Sequence, residues 1–155
     1  MIYIAHRGLF NGPDVNLENR PEQIERALSR GYNCEIDVWC HDDHWYLGHD
    51  HADYKIDYRF LWKSNLWIHA KNLEALTKLG NQLNYFWHES DTYTITSRGY
   101  VWTQPGKSLG KKSIMVMPEY IDKTLSNIVD VNCTGICSDY VEKIKDIRDA
   151  FSWVR

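Results

Sequence analysis

Short runs of β-branched and aromatic residues recur along this chain, and nearly every one stops at a polar side chain. Ile2-Tyr3-Ile4-Ala5 ends at His6-Arg7-Gly8, Leu66-Trp67-Ile68-His69-Ala70 at Lys71, Tyr85-Phe86-Trp87 at His88, and Gly135-Ile136-Cys137-Ser138 at Asp139. Tyr100 to Thr103 and Ser113 to Met117 read the same way. Runs this short, bounded by turn residues, are the signature of buried strands. Between them, Pro21-Glu22 opens a helix carrying Ile24, Ala27 and Leu28 and closing at Gly31, Leu73 to Leu83 has helical spacing, and a last helix is expected from Val141 to Phe151. Strand, polar loop and helix in repetition predict an α/β fold with parallel strands. His41-Asp42-Asp43-His44 reads as the turn of a β-hairpin whose return strand, Trp45-Tyr46-Leu47, ends at Gly48. Between Phe86 and Met117 the strand candidates leave room for one short helix at most.

The 155 residues, 43% hydrophobic, are the size of one domain with an ordinary core, so neither metal nor disulfide is needed simply to hold the fold. A net charge of -3 without any run of basic residues argues against nucleic acid or an anionic membrane as partner. No apolar stretch has the length of a membrane span, and the N-terminus reads as a strand rather than a signal peptide. The four cysteines match no zinc pattern and read as reduced thiols of a cytoplasmic protein. Seven Trp and ten Tyr exceed what core packing requires, and some are expected to wall a pocket, Trp39 and Trp102 among them.

His6, Lys71, His88 and Asp139 all fall at the C-terminal ends of expected strands, the rim where parallel sheets assemble their sites. On Asn33 to Trp39, alternation sends Cys34, Ile36 and Val38 to one face and Glu35 and Asp37 to the other, so two carboxylates share the mouth with the imidazoles. Such a patch is equipped to hold a divalent cation and a phosphate together. His41, His44 and His51 with Asp42, Asp43 and Asp53 form a second imidazole and carboxylate cluster, for which turn chemistry is sufficient explanation. Glu119 has a strand-end position but no motif around it.

His6-Arg7-Gly8, then Glu18-Asn19, then Glu35-x-Asp37, then Gly48-His49-Asp50 resembles the glycerophosphodiester phosphodiesterase family, itself similar to sphingomyelinase-D-type and phosphatidylinositol-specific phospholipases. The resemblance is specific over the first 50 residues and extends weakly to Lys71, to Trp102-Thr103 and to Gly135 through Asp139. It implies a compact TIM-type (β/α) barrel with shortened helices. It implies further that His6 and His49 are the acid/base pair, Glu35 and Asp37 metal ligands, Arg7 and Lys71 phosphate contacts, and Glu18 a polar neighbour of the metal or its water. Its activity would be metal-dependent cleavage of a small or lipid-derived phosphodiester, with Mg or Ca as the metal.

Three features depart from the family pattern. His69 stands where the family places a further metal-binding Glu, and an imidazole suits Mn or Zn better than Mg or Ca, while His69 can also be read as a strand residue of the interior. Arg20-Pro21 replaces the usual Thr, and the chain is short for the fold. His88 and Trp102 complete the expected pocket. Two other readings stand beside hydrolysis: a catalytically silent barrel that binds a phosphorylated sugar or nucleotide-sugar, and a lyase or transferase that forms a cyclic phosphate. Shortened helices would leave apolar flanks that favour a homodimer.

Overall fold

In the computed structural model, which describes residues 1–152, ten strands and three α-helices follow one another as β1 (Ile2–Ala5), α1 (Pro21–Ser29), β2 (Asn33–His41), β3 (His44–Leu47), β4 (Tyr54–Ile56), β5 (Leu66–Ala70), α2 (Leu73–Lys78), β6 (Tyr85–Phe86), β7 (Tyr93–Ile95), β8 (Val101–Thr103), β9 (Ser113–Val116), β10 (Gly135–Ser138) and α3 (Val141–Ser152). The strands form one mixed sheet. Its parallel run is ordered β6-β5-β2-β1-β10-β9-β8, and β3, β4 and β7 attach antiparallel. The nine residues of β2 let it serve three partners: β1 at its start and β3 at its end along one edge, and β5 along the other.

The sheet curls into a half-barrel. This overturns the expected TIM-type (β/α) barrel with its surrounding helices, because only helices of 9, 6 and 12 residues accompany the ten strands. Chain length between strands is the cause, since a helical crossover takes roughly ten residues or more. The loops flanking β7 are too short for one, and β7 instead folds back antiparallel on β8. The long connection after β9 is broken at Met117 and Leu125, both left-handed, and yields two single 3-10 turns. Helix α2 is also shorter than its periodicity implies: Leu79 leaves the helix extended, and the chain closes a turn at Gly80 instead. Strands β4 and β7 were not expected from the sequence; their three residues each are too few to set a period.

Three apolar clusters hold the sheet. Ile24 and Ala27 of α1 and Ala75 of α2 pack on Cys34, Ile36, Val38 and Ile68 on the convex side. Ile4, Trp67, Phe86, Trp102, Ile114, Val116 and Cys137 fill the inside of the curl. Leu125, Ile128, Ile136 and Ile144 pack where α3 covers β10. The alternation expected for β2 is therefore observed, with Glu35 and Asp37 on the concave side in register with Trp67 and His69 of β5. All four cysteines are free thiols, and among the described residues no helix is long and apolar enough to cross a membrane.

Candidate active site

Strand ends place the polar side chains at one mouth of the curl. There a cavity of about 220 Å³ is lined by His6, Arg7, Glu35, Asp37, His49, His69, His88 and Trp102, together with Gln104, Pro105, Val116, Met117 and Tyr120. The sequence-predicted residues are thus brought together from β1, β2, β5, β6, β8 and the β3–β4 loop. Lys71 and Glu18 stand behind this lining, Lys71 Nζ 3.5 Å from Asp37 Oδ1 and Glu18 Oε2 accepting from Arg7 Nη1 at 2.9 Å. The second imidazole cluster is not assembled: His44 bonds the Asp42 carbonyl, and among the described residues only Glu35, Asp37 and His69 group as metal-binding side chains.

Arg7 follows β1 in the left-handed region, φ 52°, which turns its backbone N–H onto Glu35 Oε2 at 3.1 Å and its guanidinium across the mouth. Its Nε lies 3.3 Å from Asp37 Oδ2. Asn19, buried and also left-handed, donates from Nδ2 to Asp37 Oδ2 and accepts the Asp37 backbone N–H, both at 2.9 Å. Asn tolerates this conformation better than most residues, which accounts for its place in the turn before α1. Asp37 is thereby clamped by Asn19, Arg7, His69 and Lys71. Burial opposes its charge, but the contact with His69, then the Lys71 and Arg7 cations, hold its carboxyl well below the usual carboxylate range. Glu35 is pushed up instead, by burial and by the neighbouring Asp37 charge.

His6 Nδ1 is 2.8 Å from Asp139 Oδ1, and its Nε2 is 4.0 Å from Glu35 Oε2. Burial works against the charged ring, but the bond to Asp139 and the charge of Glu35 outweigh it and raise its pKa. Asp139 is itself positioned by Glu119, whose Oε1 accepts from the Asp139 backbone N–H at 3.0 Å and from Ser138 Oγ at 2.8 Å. His49 pairs with Asp50 through Nδ1 at 2.8 Å and is lowered, chiefly by burial. The His69 ring stacks parallel on Phe86 and His88, centroids 5.1 and 4.5 Å away. His88 is pushed down to about 4 by burial and by His69, and its Nδ1 has no hydrogen-bond partner among the described residues.

The ligand atoms of Glu35, Asp37 and His69 all lie within 4.8 Å of one another. Two carboxylates and one imidazole on adjacent parallel strands form a donor set that fits a divalent cation. Arg7 beside them supplies the planar cation suited to a phosphate. The sequence sets Asp139 at the strand-end rim and Asn19 in the Glu18-Asn19 motif, but gives neither a partner. Both were visible as polar residues abutting an expected element, Asn19 before Pro21 and Asp139 after β10, but their partners are distant in sequence. No family model, curated protein or solved structure matches this chain.

Proposed function

We propose that this protein is a divalent-metal-dependent phosphodiesterase acting on a small or lipid-derived, glycerophosphodiester-like diester. One observation carries the reading: two histidines, each paired to a carboxylate through Nδ1, line the same small cavity as the Glu35, Asp37 and His69 donor set. A bound divalent cation would polarise the phosphoryl group and neutralise charge developing on it. Arg7 is placed to meet a phosphate oxygen, held rigid by Glu18 and Asp37. Asp139 fixes the His6 tautomer with hydrogen on Nδ1, leaving Nε2 toward the cavity for proton transfer. The two rings occupy unlike settings, His6 half-buried and paired with the well-covered Asp139, His49 about a third exposed and paired with the exposed Asp50. Such a difference suits one as proton donor to the leaving alkoxide and the other as acceptor from the attacking hydroxyl. Tyr120 also borders a second hollow of about 490 Å³, which gives room for the larger alcohol arm of a diester.

The experiment is hydrolysis of bis(p-nitrophenyl) phosphate and glycerophosphocholine by metal-stripped protein, with Mg, Ca, Mn and Zn restored singly. Metal-dependent turnover that disappears in Glu35→Ala, with the fold retained by circular dichroism, is the expected result. Absence of metal-dependent turnover on both substrates overturns the reading. Phosphorus NMR of the products separates a monoester from a cyclic phosphate.

A further inference from the structure

The His69 ring is held in one orientation. It lies flat against Phe86 and His88, within 4° of parallel to each, and both of its nitrogens face oxygen atoms. Nε2 is 3.3 Å from the carbonyl oxygen of His88, and Nδ1 is 3.0 Å from Asp37 Oδ1. Both oxygens can only accept, so a neutral ring, with one hydrogen, satisfies one of them and turns a lone pair on the other; with the hydrogen on Nε2 that lone pair is on Nδ1. That lone pair points at a carboxylate oxygen, itself an acceptor. Two acceptors at hydrogen-bond distance need a positive centre shared between them. Either a second proton on the ring or a metal ion taken by both atoms meets that need.

The surroundings favour the metal. A ring nitrogen whose opposite N–H is pinned to a backbone carbonyl is the usual arrangement of a ligating histidine, because that bond fixes the tautomer and aims the lone pair. Lys71 and Arg7 both lean on Asp37. Among the described residues, Glu35, 3% exposed, is met by the Arg7 backbone N–H and, at 4.0 Å, by the His6 ring. A proton on His69 would bond Asp37 and reach Glu35 only through space, whereas an ion held by all three side chains bonds Glu35 directly.

We infer that His69, through Nδ1, ligates a divalent ion together with Glu35 and Asp37, and that its imidazole makes the site prefer Mn(II) and Zn(II)-class ions over Mg(II) and Ca(II). The physical reason is ligand hardness: Mg and Ca take oxygen donors almost exclusively, and replacing one of them by imidazole favours first-row transition ions. The inference deepens the phosphodiesterase reading, and its test reads the metal instead of the turnover.

Chelator-stripped protein is equilibrated by dialysis against Mg, Ca, Mn, Co and Zn singly, and bound metal is counted by mass spectrometry. About one equivalent of Mn, Co or Zn is expected, with an apparent Kd at least ~100-fold below that for Mg or Ca. Pulsed EPR of the Mn(II)-loaded protein should show a directly coordinated nitrogen, and histidine labelled with ¹⁵N at Nδ1 should change that coupling in the wild-type chain, with no variant required. His69→Glu should lose the coupling and reduce the preference for Mn over Mg at least ~10-fold. Mg binding as tight as Mn, a nitrogen coupling that survives His69→Glu, or a coupling unchanged by the Nδ1 label overturns the assignment. Absence of bound metal of any kind overturns it too, and gives the space between Nδ1 and Oδ1 to a proton. Failure of the phosphodiesterase reading looks different: metal and nitrogen coupling intact, with neither diester turned over.

Discussion

Asp139 borders the second hollow beside the site, and its Oδ1 sets the direction of the His6 ring. Asp139→Asn keeps the shape of the side chain but allows it to donate where it now accepts, so the His6 tautomer is no longer specified. With Mn present, kcat for bis(p-nitrophenyl) phosphate should fall by ~100-fold or more, as should that of His6→Ala, with thermal stability of the Asn variant little changed. Wild-type turnover in Asp139→Asn would remove this residue from the account. The thiols offer a second test at this scale. Burial pushes Cys34 and Cys137 far above the ordinary thiol range, and both are fully covered, whereas Cys133 is only half-buried. In native protein iodoacetamide should therefore label Cys133 first, leaving Cys34 and Cys137 to react only on unfolding, as peptide mapping would show. Labelling of Cys34 at the Cys133 rate would mean that the convex core opens readily.

At the scale of elements, the hairpin loop that presents His49 depends on Gly48. Its φ of 145° is strained for any other residue, and a Cβ there would stand 2.0 Å from the His51 carbonyl oxygen. Gly48 also gives its carbonyl to Trp39 Nε1 at 2.7 Å. Gly48→Ala should cost about 1–3 kcal/mol by denaturant unfolding and lower activity along with it, since the loop must move for the methyl to fit. Helix α2 is tied to β2 by Asn72, whose side chain caps Ala75 and exchanges two hydrogen bonds with the Cys40 backbone. The helix also meets the hairpin turn through Lys78, which bonds both Asp43 and Glu74. Those contacts, first the Lys78 ammonium and then the Asp43 backbone N–H, hold the Glu74 carboxyl down to about 2. A carboxyl lowered in the folded state contributes stability above its unfolded value and loses it as pH falls through the folded one. The stability difference between wild type and Glu74→Gln should therefore be constant near neutrality and shrink between pH 5 and ~2. A difference unchanged across that range would show that the tie is not formed in solution.

Across the whole molecule, protection is uneven. Strands β1, β2, β5 and β10 are paired on both edges over much of their length and carry most of the buried side chains, while β4 and β7 are short edges, Tyr93 and Ile95 of β7 being exposed. Amide exchange should accordingly be slowest in the first group, approaching the global unfolding rate, and fastest in β4 and β7. Equal protection in β7 would imply that another surface covers that edge. The order also bears on the site, because Glu35, Asp37, His69 and Asp139 sit on or beside the protected strands, whereas His49 belongs to a loop. On the proposed reading, a metal held by rigid strands and one proton-transfer group on a loop would allow binding and chemistry to be disturbed separately by mutation.

Much of the site was legible because strand periodicity is local. Alternation along β2 is enough to put Glu35 and Asp37 on one face, and a polar residue after an apolar run is enough to put His6, Lys71 and His88 at a strand end. Helix α3 and the β2–β3 hairpin were legible for the same reason, each being specified by neighbours in sequence. The clamp of Asn19 on Asp37 spans 18 residues and the bond from Asp139 to His6 spans 133. No periodicity carries information over such distances, so these pairings exist only once β1 lies between β2 and β10. The architecture was misjudged on a similar ground. Eight of the ten strands are legible in sequence, β4 and β7 being too short, but whether the outside of a sheet is covered by helices depends on how much chain is left between strands. Between β6 and β9 too little remains, and the sheet curls as a half-barrel where the family resemblance implied a helix-clad barrel.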